Sequence, residues 1–118
     1  MFFENFSSET YFLLNVATIG VTIQPMKLEW DETKRRENLA KHGLDFADAW
    51  QLFEHPTVTW PDDRFDYGEE RWISIGIIKT TVIALLAFTE RDPDIVRVIS
   101  LRKAKKHEKE KYERTIRN

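Results

Sequence analysis

The chain has 118 residues, a mass of 14.1 kDa and a formal net charge of −2. This length fits a single domain. Hydrophobic residues at 42%, with aromatic residues at 13%, suffice for a packed core and exclude a disordered chain. The absence of cysteine excludes disulfides, thiolate catalysis and thiolate metal sites. A cysteine-free chain suits a reducing compartment, so we expect a cytoplasmic protein.

The first 25 residues differ in character from the rest of the chain. Segment 11–23 is mostly apolar, but Asn15 and Thr18 interrupt it and it falls short of the roughly 20 apolar residues that span a bilayer. No Lys or Arg precedes it, which is unlike a signal peptide, and we expect no membrane association. Residues 1–25 are therefore either an extension upstream of the native start or an extra strand or helix, and 26–118 form the working domain.

Capping residues divide the next part of the chain into a short edge strand and two helices. Residues 27–30 alternate polar and apolar, as an edge strand does. Asp31 is placed as the N-cap of a helix over 31–42, which Gly43 ends. Asp45 is the next N-cap. The apolar residues after it recur with the spacing of a helix that buries one face: Phe46, Ala49, Trp50 and Phe53.

A run of strands and a basic helix follow. The strands are predicted at Val58–Pro61, Arg71–Ile78, Thr81–Phe88 and Ile95–Leu101, with Lys79-Thr80 as a hairpin turn. Connections this short force neighbouring strands to be antiparallel. The last seventeen residues, from Arg102 to Asn118, are helical in composition. We predict an α+β domain: an antiparallel sheet of about four strands with two N-terminal helices and a basic C-terminal helix.

Charge is distributed unevenly along the chain. Residues 1–90 carry a net charge of −7 and residues 91–118 carry +5. A basic strand and helix could neutralise the phosphates of a nucleic acid, although a solvated helix face has the same composition. Arg97 lies between Val96 and Val98 in an apolar strand and must be paired or face a groove. It either pairs with a nearby acid (Asp92, Asp94 or Glu90) or lines a phosphate site together with Arg102 and Lys103.

The sequence offers little support for a metal or a nucleotide cofactor. His42, His55 and His107 lack metal-ligand spacing, and no glycine-rich phosphate loop exists, so we expect neither a metal nor another cofactor. His42 is either a favourable charge at a helix C-terminus or a general acid or base. The acidic segment 62–70 is predicted to be a solvated turn.

Several motifs in order resemble the BrnT-like toxin family. They cover about residues 26–114 and comprise Leu28-Glu29-Trp30-Asp31 with Lys34, Asn38–Leu44 with Phe46, Tyr67–Arg71, Thr89-Glu90-Arg91, and Val96–Ala104 with Glu108 and Tyr112. The resemblance implies a RelE-like fold and the toxin of a type II toxin–antitoxin pair. It further implies a ribonuclease that arrests translation, with metal-free attack of the RNA 2′-hydroxyl on the neighbouring phosphate.

The resemblance also implies partners and site residues. The partners would be an RNA substrate and a ribbon-helix-helix, BrnA-like antitoxin in a hetero-oligomer, which alone contacts operator DNA. The candidate catalytic residues are Arg97, Arg102, Lys103, His42 and Glu90. The candidate RNA-binding residues are Arg71, Arg91, Lys106, Lys109 and Tyr112. Two alternatives stay open: a degenerate toxin that only binds its antitoxin or RNA, and a metal-dependent nuclease that uses the acidic loop.

Overall fold

The computed structural model describes the backbone of residues 6–17, 20–92 and 94–117 and the side chains of residues 27–91 and 94–116. The described elements, in chain order, are β1 (Phe6–Ala17), β2 (Gly20–Asp31), α1 (Glu32–His42), a 3₁₀ helix (Phe46–Glu54), β3 (Val58–Pro61), β4 (Trp72–Ile78), β5 (Val82–Asp92), β6 (Ile95–Lys103) and α2 (Lys106–Arg117). Within these ranges, the helices are all too short or too polar to cross a membrane.

The described strands form one mixed sheet in the order β1-β2-β6-β5-β4-β3. The prediction of about four strands, all antiparallel, is wrong in two respects. The described sheet has six strands, and β2 runs parallel to β6, with residues 27–29 beside residues 95–97. The antiparallel rule applies only to strands joined by short connections, whereas two helices and three strands separate β2 from β6.

The N-terminal segment contributes to the same sheet. β1 pairs with β2 along its whole length, from Phe6 opposite Asp31 to Ala17 opposite Gly20. The predicted edge strand at 27–30 is thus the second half of a longer strand. Of the alternatives for residues 1–25, an extra strand matches the conformation of the described residues. Residues 1–5, 18 and 19 lie outside the described part of the chain. That the working domain begins at Met26 stays a prediction.

Both predicted helix starts are confirmed, but the second helix is of a different type. Asp31 Oδ1 accepts hydrogen bonds from the backbone N–H groups of Thr33 (2.9 Å) and Lys34 (3.1 Å). The second segment is a 3₁₀ helix whose buried residues lie three apart: Phe46, Ala49 and Leu52. A burial period of three matches the three residues per turn of a 3₁₀ helix, which explains the correction.

The sheet buries apolar residues on both faces. The face packed against the 3₁₀ helix, the 3₁₀ face, includes Leu28, Trp30, Ala84, Leu86, Phe88, Val98 and Leu101. The opposite face, the α2 face, includes Ile73, Ile75, Leu85 and Ala87 together with Tyr112 from α2. β5 lies between β4 and β6 and contributes to both clusters, as its nearly continuous apolar sequence predicts.

Asn38 joins α1 to the edge of β6. Because β2 pairs with β6 only as far as Arg97, the rest of the β6 edge lacks a neighbouring strand among the described elements. The Asn38 side chain takes that place: its Nδ2 donates to Leu101 O (2.8 Å) and Leu44 O (3.1 Å), and its Oδ1 accepts from Leu101 N (3.2 Å). The amide is 8% exposed. These three bonds hold α1 beside β6.

The C-terminal helix begins later than predicted. Arg102 and Lys103 belong to β6, and α2 starts at Lys106. Glu108 reaches back to accept a hydrogen bond from the backbone N–H of Lys105 at 2.7 Å, which is half of a capping box. Composition alone does not locate this boundary, because Arg and Lys are common in helices and also occur at strand ends.

Candidate active-site groove

A bulge in β6 brings two arginines to one face of the sheet. Arg97 and Arg102 are five residues apart, so strict strand alternation would place them on opposite faces. The register with β5 shifts between Ala87, which pairs with Ser100, and Phe88, which pairs with Val98. Ile99 is therefore an extra residue, and the alternation is reset beyond it. Arg97 and Arg102 both lie on the α2 face as a result.

Three adjoining cavities follow this stretch of β6, and we call them together the β6 groove. The first is lined by Trp60, Pro61, Asp62, Asp63, Arg64, Ile73, Leu85, Ala87, Ser100, Arg102 and Glu108. The second is lined by Asp31, Lys34, Glu69, Arg71, Arg97, Val98 and Ile99. The third is lined by Lys34, Glu37, Asn38, Lys41, His42, Ile99 and Ser100. The third cavity shares Ser100 with the first and shares Lys34 and Ile99 with the second, so the three form one continuous surface.

At one end of the groove, Arg102 forms a bidentate ion pair with Glu108. Its Nη1 lies 2.8 Å from Oε1 and its Nη2 lies 2.9 Å from Oε2. The guanidinium lowers the pKa of Glu108 to about 2, so the carboxylate stays charged at neutral pH. Nη1 also donates to Lys103 O at 3.1 Å. These three bonds use three of the five N–H donors of Arg102, so its Nε–H and one Nη2 proton can donate to a ligand.

At the other end, Arg97 pairs with Glu29 of β2. Its Nε and Nη2 lie 2.9 Å and 2.8 Å from Glu29 Oε2. The sequence-based alternative named Asp92, Asp94 or Glu90 as the partner of Arg97. Glu29 is a partner that this alternative did not include, 68 positions away in the sequence, because β2 lies parallel to β6 and Glu29 stands beside Arg97 in the register. The side chain of Asp92 lies outside the described part of the chain.

The wall formed by α1 carries positive side chains that are not engaged elsewhere. Lys34 and Lys41 are exposed and lie seven residues apart, so they project from the same side of the helix. Neither these two nor His42 makes a side-chain hydrogen bond or ion pair with any residue whose side chain is described. His42 is the last residue of α1 and shares the third cavity with both lysines and Ser100.

The opposite wall is the acidic loop, and Asp62 organises it. The Asp62 carboxylate accepts hydrogen bonds from Arg64 Nε (2.8 Å), Arg64 Nη2 (2.9 Å) and Tyr67 Oη (3.0 Å). The Arg64 guanidinium lowers the pKa of Asp62 to about 2. Arg71 ends this wall; its Nε pairs with Glu69 at 3.1 Å and its guanidinium lies over the Tyr67 ring. The segment 62–70 is largely exposed, as predicted for a solvated turn, but the side chain of Asp62 is buried and organises it.

Four of the ten predicted site residues line the groove: Arg71, Arg97, Arg102 and His42. Lys103 and Lys109 lie together in a separate cavity lined also by residues 81–83 and Glu113. Lys106 and Arg91 are exposed and line none of the cavities described above. Glu90 points away from Arg97: Thr89 pairs with Arg97 across the sheet, so the next residue faces the other side.

Tyr112 is placed in the core and not at an RNA-binding surface. It is 4% exposed, and its hydroxyl donates to Pro56 O at 2.9 Å. Burial raises the pKa of the phenol, so it stays protonated at neutral pH. Its role is to pack α2 on the sheet, which corrects the predicted assignment.

Sequence reasoning missed Lys34, Lys41 and Arg64 as groove residues. The seven-residue spacing of Lys34 and Lys41 was a usable signal, since it places two cations on one side of a helix. Arg64 carried no comparable signal, because its position depends on how the loop folds around Asp62. Among the residues whose side chains are described, no three His, Asp or Glu side chains are grouped so that they could hold a metal ion.

Comparisons with known proteins identify a family and a similar structure. A family model described as "Ribonuclease toxin, BrnT, of type II toxin-antitoxin system" matches residues 30–108. The structure is similar to the crystal structure of the Brucella abortus ribonuclease toxin BrnT, with 33% sequence identity and a TM-score of 0.53. That match covers 65% of this chain and 94% of the Brucella chain. A comparison with curated proteins gave no significant match.

The family match spans both arginines of strand β6, the whole of α1 and the Asp62 loop. It confirms the resemblance found in the sequence motifs. The chain belongs to the BrnT family of ribonuclease toxins of type II toxin–antitoxin systems.

Proposed function

We propose that this chain is an endoribonuclease toxin that arrests translation by cutting RNA in the β6 groove without a metal ion. The observation that carries the proposal is the β6 bulge. It places the guanidiniums of Arg97 and Arg102 on one face, beside a wall that holds Lys34, Lys41 and His42. This arrangement presents several cations along one surface, as an RNA backbone requires.

The proposed chemistry is an internal transesterification. The RNA 2′-oxygen forms a bond to the adjacent phosphorus while the bond from phosphorus to the 5′-oxygen breaks. One proton leaves the 2′-hydroxyl and one is added to the departing 5′-oxygen. The products are a 2′,3′-cyclic phosphate and a 5′-hydroxyl, so atoms and charge balance without water or a metal.

The groove residues have distinct proposed roles. Arg97 and Arg102 lie at the two ends of the groove, so together they stabilise the negative charge of the phosphorane and of the phosphates beside it. Charge-assisted hydrogen bonds of this kind are strong where water is displaced. Their partners Glu29 and Glu108 orient the guanidiniums before RNA arrives. His42 exchanges the protons as general base and general acid, the role that histidine most often takes in catalysis.

The test uses the purified full chain and end-labelled RNA in EDTA. We expect fragments ending in a 2′,3′-cyclic phosphate, and a cleavage rate that falls roughly hundredfold in Arg97→Ala and in Arg102→Ala. Lys79→Ala is the control, because Lys79 is an exposed cation in the β4–β5 turn, outside the groove. Circular dichroism checks folding. If both arginine variants, when induced in cells, still arrest growth like the wild type, the β6 groove is not the active site.

A second function is a binding module that holds RNA or an antitoxin without cutting. The ion pairs of Arg97 and Arg102 favour it, because partnered arginines also serve purely structural roles. Absence of cleavage by the wild-type chain, with and without ribosomes, would support this alternative. Activity that EDTA abolishes would support a metal-dependent nuclease.

We propose that the partner is a ribbon-helix-helix antitoxin that covers the toxin and contacts operator DNA on behalf of the complex, in the cytoplasm. Membership of a type II toxin–antitoxin family supports a protein antitoxin. Co-purification of the chain with the product of an adjacent short reading frame tests this. A partner without the ribbon-helix-helix pattern would contradict it.

A further inference from the structure

Phe65 is the most exposed large apolar side chain among the described residues. It is 70% exposed, compared with 38% for Leu39 and 39% for Ile116. A single exposed apolar residue is common on protein surfaces. Phe65 differs because side-chain hydrogen bonds organise the loop that carries it, and this loop ends at the proposed active site.

Hydrogen bonds to Asp62 connect the two sides of the loop around Phe65. The buried carboxylate binds the side chain of the residue before Phe65 and the hydroxyl of Tyr67, two residues after it. Gly68, at φ 71°, donates its N–H to Asp66 Oδ1 at 3.0 Å and turns the chain. The Phe65 ring is thus presented to solvent by a preorganised loop, so ordering it on binding costs little entropy.

A series of stacked groups connects Phe65 to the β6 groove. The Phe65 and Tyr67 rings meet edge to face, with centroids 5.8 Å apart. On the Tyr67 ring, the Arg71 guanidinium lies 4.1 Å from the centroid. Arg71 lines the same cavity as Arg97. One continuous surface therefore carries aromatic rings at its outer end and cations at its inner end.

This combination suits single-stranded RNA better than a protein. Unpaired bases stack on exposed aromatic rings while their phosphates follow a line of cations. A protein interface needs a larger apolar centre, and Phe65 is the one exposed large apolar side chain of the loop 62–70. The neighbouring Arg64 is 67% exposed in its side chain and adds a further cation.

We propose that Phe65 and Tyr67 form a stacking subsite for an unpaired base of single-stranded RNA, next to the scissile phosphate in the β6 groove. This inference rests on the proposed ribonuclease function. It assigns single-stranded RNA as the substrate class and gives the loop a positioning role that leaves the chemistry to the groove.

The test measures binding of a fluorescein-labelled 10-nucleotide 2′-O-methyl RNA, which lacks the attacking hydroxyl, by anisotropy with the full chain. We expect Phe65→Ala and Phe65→Leu to weaken binding about five- to a hundredfold, because both remove the π face. Phe65→Trp keeps a stacking ring and should bind within about threefold of the wild type. Ile116→Ala is the matched control, since it removes an exposed apolar side chain from α2.

A second probe separates stacking from other effects. An abasic sugar-phosphate chain of the same length should bind the wild type and Phe65→Ala equally. If the wild type binds RNA but Phe65→Ala binds it equally well, the subsite is refuted while the proposed function stands. If Phe65→Leu binds RNA as tightly as the wild type, apolar contact and not ring stacking explains the binding, and the proposal also fails. If the wild type neither binds nor cuts RNA, the proposed function itself fails.

Discussion

The bonds between Asn38 and the β6 edge give a quantitative prediction for Asn38→Ala and Asn38→Asp. Asn38→Ala removes three hydrogen bonds and leaves buried backbone groups of Leu101 and Leu44 without their partner. At about 1 kcal/mol per bond, the free energy of unfolding should fall by about 3 kcal/mol. This is a large part of the 5–15 kcal/mol that is typical of a domain.

Asn38→Asp is the sharper perturbation because it keeps the shape of the side chain. The new carboxylate can still accept from Leu101 N, but its other oxygen faces two carbonyl oxygens that Nδ2 had served. Only the protonated acid can donate to one of them, so the pKa of the new carboxyl is raised in the folded state. The protonated form is favoured by folding, so the loss of stability is greatest at neutral pH and shrinks as pH falls toward 5.

Urea unfolding followed by tryptophan fluorescence at pH 7.5 and pH 5 measures both effects. The control is Glu37→Gln, which changes the charge of an exposed neighbour on α1. We expect Asn38→Asp to lose at least about 3 kcal/mol at pH 7.5 and to regain part of it at pH 5, each relative to the wild type. A loss below about 0.5 kcal/mol, or no difference between the two pH values, would refute the assigned hydrogen bonds.

Three further predictions concern stability. Arg102 holds the pKa of Glu108 at about 2 in the folded chain. The Glu108–Arg102 pair therefore contributes fully to the free energy of unfolding above the unfolded-state pKa near 4.5, and this contribution is lost as pH falls toward 2. In urea titrations, Glu108→Gln should lower the free energy of unfolding by about 1–2 kcal/mol at pH 7, after allowing for solvent screening, and by much less at pH 2. An equal loss at both pH values would contradict the pairing. Thr80 has φ 64° in the β4–β5 turn, so Thr80→Gly should stabilise by about 1 kcal/mol, and a lower urea midpoint would contradict this. A Cβ on Gly76 would lie 2.8 Å from Leu52 Cγ, so Gly76→Ala should cost about 1–3 kcal/mol in thermal unfolding and Leu52→Ala should partly relieve that clash.

Local sequence patterns predicted most of the elements. Asp31 as the first N-cap and Gly43 as the residue that ends α1 are confirmed, with Gly43 at φ 73°. These signals are reliable because capping depends on a few neighbouring backbone groups. The hairpin turn at Lys79-Thr80 is confirmed in position, but its loop has three residues and not the two predicted, because Ile78 pairs with Val82. Both Lys79 and Thr80 adopt a positive φ without glycine.

The candidate site was predictable only in part. Arg97 was recognisable as a charged residue in an apolar strand, but its partner Glu29 depends on a parallel strand pair formed across most of the chain. The charge asymmetry between the two parts of the chain is partly cancelled in space, because Glu29 of the acidic part pairs with Arg97 of the basic part.

The sequence by itself determined the family, the α+β class and the residue types available for binding a phosphate backbone, because motif order, caps and apolar spacing are local properties. The tertiary structure decided which of those residues meet. Without the extra residue Ile99, strand alternation would separate Arg97 and Arg102 onto opposite faces. The Asn38 bonds to Leu101 hold the cations of α1 beside that strand. Both features depend on long-range register, which composition and spacing do not encode.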